Sequence, residues 1–93
     1  MKQTRKTRQA EKDRVIFRVF ADGEVLALFP FIKWDDRGDI LSYMHTGQHG
    51  PASRNVVTIT RPATRAEYTP LMRELRRLGY RLEVGKRLTR PTR

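Results

Sequence analysis

The sequence predicts an α+β domain: a mainly antiparallel sheet of about five strands, in the order β-β-β-β-α-β, with one helix on one face. Three observations carry that expectation. Apolar residues alternate at a period of two in several short segments. Gly- and Pro-bearing turn segments separate those segments. A single stretch, roughly residues 65–78, repeats its apolar residues at helical spacing. One helix among so many strands has to lie against one face of the sheet.

The elements follow in order. Val15–Phe20 reads as a strand, with Val15, Phe17 and Val19 on one face and Ile16, Arg18 and Phe20 on the other. Ala21-Asp22-Gly23-Glu24 supplies a hairpin turn, because Gly accepts the positive φ such turns require. Val25–Phe29 returns antiparallel and is apolar on both faces, as in a central strand. Pro30, without a ladder donor, is expected to end regular pairing. Asp35-Asp36-Arg37-Gly38-Asp39 is a second turn and Ile40–Thr46 a third strand. Gly47 to Asn55 reads as a loop, and Val56–Thr60 as a short β-branched strand that Pro62 closes.

The helix carries a conflict. Thr64 and Glu67 form a Thr-x-x-Glu capping box, which starts the helix at Thr64. Tyr68, Leu71, Leu75 and Leu78 then share one face, with Met72 beside them. Pro70 lies six residues in, where it removes a backbone bond at a cost of about 3 kcal/mol. The alternative start is Thr69 as N-cap with Pro70 at the first helical position. The expectation is a helix over 65–78, loose or kinked in its first turn and stopped by Gly79. Tyr80, Leu82 and Val84 alternate with Arg81 and Glu83 and give a last strand. The sheet face without a helix is expected to be partly wet and to serve function. Trp34 is read as a lid on the core.

Charge partitions unevenly. The chain carries 20 Lys and Arg against 10 Asp and Glu, a net charge of +10. Residues 1–14, a basic flexible arm, and 85–93, a basic tail, each hold +4, and the 15–84 domain between them only +2. Such an arrangement suits a polyanion, although basic ends can also serve merely to solubilise. A membrane partner is disfavoured, since residues 1–14 contain no Leu, Ile, Phe or Trp to insert. There is no cysteine, no apolar signal-peptide stretch and no run approaching the roughly 20 residues of a membrane span. A cytoplasmic setting is therefore expected.

Functional atoms concentrate in Ser42-Tyr43-Met44-His45-Thr46-Gly47-Gln48-His49-Gly50, which holds both histidines. Tyr43 and His45 alternate onto one strand face, with His49 beyond. A zinc site would need a further ligand from Asp35, Asp36 or Asp39, and the His-x-x-x-His spacing straddles a strand end rather than a helix turn. No metal or cofactor is assigned. Metal-independent RNA cleavage would use His45 and His49 as acid and base with Arg18 or Arg54 on the phosphate. A recognition surface would stack bases on Tyr43, His45, Phe17 or Phe20. The plainest reading leaves both histidines hydrogen-bonded to backbone. On the helix, Arg73, Arg76 and Arg77 form a basic stripe opposite the apolar row.

Val15–Phe20, Asp22-Gly23-Glu24-Val25, Ala27-Leu28-Phe29-Pro30, Ser42-Tyr43-Met44-His45, Gly47-Gln48-His49-Gly50, Thr60-Arg61-Pro62-Ala63, Glu67-Tyr68 and Leu78-Gly79-Tyr80 also occur as a set. Over residues 15–84 the chain resembles a group of uncharacterised small proteins of phages and other bacterial mobile elements, most specifically in its Tyr-Met-His-x-Gly-Gln-His-Gly run. The resemblance brings no activity, ligand or catalytic residue. What it implies is a context, an accessory protein acting on nucleic acid or on a host protein–nucleic-acid machine.

The sequence thus points to a small nucleic-acid-binding protein without enzymatic activity, RNA ahead of DNA. Its expected contacts are Arg5, Lys6, Arg8, Arg14, Arg18, Tyr43, His45, His49, Arg54, Arg73, Arg76, Arg77, Lys86 and Arg87. The alternatives are an interaction protein that inhibits a host nucleic-acid-handling or defence complex, and a His-dependent ribonuclease with His45 and His49 as its catalytic pair.

Overall fold

A computed structural model describes residues 12–44 and 47–85. Six strands form one sheet: β1 (Asp13–Phe20), β2 (Val25–Lys33), β3 (Ile40–Met44), β4 (Gln48–Ala52), β5 (Thr60–Pro62) and β6 (Leu82–Val84). A single α-helix, α1 (Arg65–Arg77), lies between β5 and β6, so the α+β class holds. The spatial order is β4-β3-β2-β1-β5, and β6 also pairs with β1. All pairings are antiparallel except β1 with β6, which run parallel with Asp13 opposite Leu82 and Val15 opposite Val84.

Local chemistry explains the well-marked elements. Between β1 and β2, Gly23 takes φ +92°, the Gly23 N–H donates to Phe20 O and the Phe20 N–H to Glu24 O. A three-residue loop therefore closes the hairpin, with its one left-handed residue at the glycine. Thr64 caps α1 in a complete capping box: its hydroxyl accepts the Glu67 N–H, and the Glu67 carboxylate accepts the Thr64 N–H at 2.8 Å. Thr64 is the start, and Pro70 is tolerated inside the helix. Pro70 and Ala66 are both exposed, so the Ala66 carbonyl that Pro70 deprives of a donor can be hydrated. At the other end Gly79 has φ +106°, its N–H reaches Arg76 O, and the Tyr80 N–H reaches Leu75 O. Those two bonds are a Schellman closure.

Two apolar clusters lie on opposite faces of the sheet. Under the helix, Val15, Phe17, Ala27, Phe29, Tyr43 and Leu82 pack with Leu71 and Leu75. On the other face Ile16, Leu26, Leu28 and Ile40 are buried beneath Phe20, Met44, Ala52 and Val56. That second face is only partly covered, as expected from sequence. A 3-10 helix, Arg54–Thr58, covers part of it and leaves an apolar groove of about 530 Å3 between Met44, Val56 and Ile59.

Three further expectations change. Gly47 to Asn55 is not one loop, because Gln48–Ala52 pairs with β3, setting His49 opposite Tyr43 and Pro51 opposite Leu41. Edge strands accept glycine and proline, and the Ser42 hydroxyl reinforces the pairing by donating to Gly50 O at 2.9 Å. Val56–Thr60 is not a strand. The Ser53 hydroxyl accepts the Asn55 N–H, and the Arg18 guanidinium takes up Val57 O, so that carbonyl is satisfied without a sheet partner; strand pairing begins only at Thr60, opposite Phe20. Regular pairing does end at Pro30, as expected: the β2–β3 ladder runs to Phe29 opposite Leu41 and resumes, out of register, only at Lys33 opposite Ile40. Trp34 is 47% exposed, so it is no lid.

Candidate functional site

Two adjoining features draw on the residues singled out from sequence. The first is a seam where the β3–β4 hairpin meets the end of α1 and the residue after its cap. Strand register places Tyr43 beside His49, their ring centroids 4.7 Å apart. The His49 Nε2 lies 2.9 Å from the Tyr80 hydroxyl, and Tyr80 stacks on Phe29 at 5.0 Å. The Tyr43 hydroxyl donates to a carboxylate oxygen of Glu74. That bond, together with burial, holds the Tyr43 phenol above its ordinary pKa, while burial and then the Asp13 charge raise that of Tyr80. Both phenols thus stay neutral.

Tyr43 accordingly is not on an open sheet face. Its side chain is 3% exposed and belongs to the core under the helix, because the residues of β3 in phase with it, not their neighbours, face α1. It offers no ring to a base. His49 is exposed, but its Nε2 and the Tyr80 hydroxyl are in contact. His45 lies outside the described residues. Among the described residues no group of three or more His, Cys, Asp or Glu is placed to hold a metal ion. The Asp35 carboxylate serves its own turn, accepting the N–H groups of Arg37 and Asp39 at 3.0 and 3.3 Å.

The second feature is the outer face of α1. Arg73, Arg76 and Arg77 are exposed and lie opposite Leu71 and Leu75. Both acids of the helix are turned to other duties: Glu74 to Tyr43, and Glu67 to Thr64 and to Arg61 at 2.9 and 2.6 Å. Among the described residues the three helix arginines have neither an ion pair nor a side-chain hydrogen bond. The remaining candidates divide. Arg18 is half-buried and donates to Thr60 Oγ1, Thr60 O and Val57 O, and burial lowers its pKa. Arg54 donates to Pro30 O at 2.8 Å, and Arg14 lies 3.8 Å from Glu83. Arg18 and Arg54 therefore hold the fold together and are not surface contacts, since each guanidinium satisfies main-chain carbonyls. Arg5, Lys6, Arg8, Lys86 and Arg87 lie outside the described residues.

Glu74 and Tyr80 were not singled out from sequence. The signal for Glu74 was its place as the one acid among three arginines; Tyr80 carried none beyond its position after Gly79. Among the described residues no helix is long and apolar enough to cross a membrane. No family model matches this chain, and neither a curated protein nor a solved structure does.

Proposed function

We propose that this chain binds nucleic acid through the outer face of α1 together with its basic ends. The observation that carries the reading is the disposition of charge on the helix: three exposed arginines with no ion pair among the described residues, against one neighbouring acid, Glu74, whose carboxylate accepts the Tyr43 hydroxyl. Neighbours at i,i+3 and i,i+4 lie about 5–6 Å apart on a helix surface, so Arg73 repels both Arg76 and Arg77. A row of phosphates relieves that repulsion. The basic ends add to the net positive charge.

Phosphate contacts of this kind give salt-dependent binding with little sequence preference. The test is fluorescence anisotropy of labelled RNA and DNA oligonucleotides against the full chain over a series of salt concentrations. With Arg73, Arg76 and Arg77 all replaced by Gln, the slope of log K against log salt should shrink by roughly 2 to 3. Binding that ignores salt, or a triple variant with the wild-type slope, overturns the reading.

A further inference from the structure

We infer that α1 lies across the groove of a double-stranded nucleic acid, with the phosphates of one strand at Arg65 and those of the other at Arg73, Arg76 and Arg77, an inference that rests on the nucleic-acid reading above and adds a substrate class to it. Arg65 opens the helix and is exposed. Like the other three it has neither an ion pair nor a side-chain hydrogen bond among the described residues.

Steps of three and four residues return to one face of a helix. Arg65, Thr69, Arg73 and Arg76 follow such steps, and so do Ala66, Pro70, Arg73 and Arg77. Together the two rows make the face opposite Leu71 and Leu75, which are fully buried. Cations stand at both ends of that face, and only Ala66, Thr69 and Pro70 lie between them. At about 1.5 Å per residue, Arg65 stands roughly 12 Å from Arg73 and roughly 18 Å from Arg77 along the axis. The middle is low as well as uncharged. Ala66 and Pro70 have short side chains, and the Thr69 hydroxyl turns back to donate to Arg65 O at 2.6 Å. Neither acid of the helix interrupts the face, because Glu67 and Glu74 are two turns apart on one flank.

A duplex has the matching layout. Two phosphate backbones border a groove, about 12 Å wide for the major groove of the B form, while the A form offers a wide, shallow minor groove. A single strand presents one unbroken line of phosphates, and the uncharged middle of the face would leave some of them without a cation. Unpaired bases find nothing to stack on either. Tyr68, the only aromatic residue of α1, stacks on Phe17 at 4.5 Å within the helix-side core. The spacing of the two backbones is recognised, not the order of the bases.

The test is fluorescence anisotropy of the full chain with a labelled RNA duplex of about 16 base pairs, a DNA duplex of the same sequence, and each separated strand. A duplex should bind about tenfold more tightly than either of its strands. Arg65→Gln should lower the duplex slope of log K against log salt by about 1. The helix should not suffer, since a cation in the first turn opposes its dipole. Arg81→Gln removes an equally exposed cation from between Tyr80 and Leu82, away from the face, and should leave the slope unchanged. Tighter binding of the DNA duplex sets α1 across a B-form major groove and of the RNA duplex across an A-form minor groove; either supports the proposal. Strands that bind as tightly as the duplexes, or Arg65→Gln and Arg81→Gln acting alike, overturn it and leave the nucleic-acid reading standing. If no oligonucleotide binds at all, both readings fall.

Discussion

The arginines of the sheet and those of the helix share one chemistry and meet opposite fates. Arg18 on β1 and Arg61 on β5 turn inward or sideways, one onto the carbonyls of Val57 and Thr60, the other onto Glu67. Arg73, Arg76 and Arg77 meet no acid among the described residues. The net +2 of the middle segment therefore understates how cationic one of its faces is, because six of its eight acids lie off the helix and Glu67 is paired with Arg61. Counting charges by segment locates a polyanion partner less well than asking which charges are already occupied.

The sharpest way to break the comparison is to treat Arg18 as if it were a surface cation. Arg18→Met keeps much of the side-chain bulk and removes three hydrogen bonds, leaving two main-chain carbonyls of the 3-10 segment and β5 short of a donor. The expected loss is roughly 2 kcal/mol, measured by chemical denaturation. Folded Arg18→Met protein should still bind nucleic acid with the wild-type salt slope. A stability change near zero, or a shallower slope, would place Arg18 with the helix arginines instead.

The helix arginines should respond the other way. Replacing Arg73, Arg76 and Arg77 together by Gln removes the like-charge contacts of Arg73 with Arg76 and with Arg77, each unfavourable by about 0.2–0.5 kcal/mol at low salt. That gain is offset by the loss of Arg76 and Arg77 from the last turn, where each cation favours the helix dipole by about 0.3–1 kcal/mol, so the triple variant should unfold at equal or slightly lower denaturant while its binding suffers. A clear destabilisation would mean that these side chains carry packing or bonding that their exposure does not suggest.

This contrast bears on what could be read from the residues in advance. The first hairpin and both ends of the helix were legible, since Asp22-Gly23, Thr64 with Glu67, and Gly79 act on their immediate neighbours. The second hairpin was not. Gln48-His49-Gly50-Pro51-Ala52 has the composition of a loop and becomes a strand because β3 offers it a partner. Val56 and Val57 have β-branched side chains, yet they lie in a 3-10 helix that Arg18 secures from 39 residues away in sequence. The candidate site followed the same division. Arg73, Arg76 and Arg77 were placed correctly by helical spacing alone. Tyr43 was assigned to the open face because a period of two fixes which residues share a face, not which face the helix covers.

The smallest expected effect separates Arg61 from the helix arginines by pH. The Arg61 guanidinium and the Thr64 N–H hold the Glu67 carboxyl down to about 2, from an ordinary value of 4.5. A carboxyl depressed in the folded state binds fewer protons there than in the unfolded chain. Its contribution is thus complete above about 4.5 and is lost as pH falls from there to about 2. The pair is solvent-exposed, which keeps the effect modest. Thermal midpoints of wild type and Glu67→Gln, recorded across that window, should converge as the pH drops, since the variant has no such carboxylate to titrate. The triple helix variant should keep the full wild-type dependence, because none of its three arginines faces Glu67. Parallel curves for wild type and Glu67→Gln would mean that the Arg61–Glu67 contact carries no stability, leaving Arg61 as free for a phosphate as the cations of the helix.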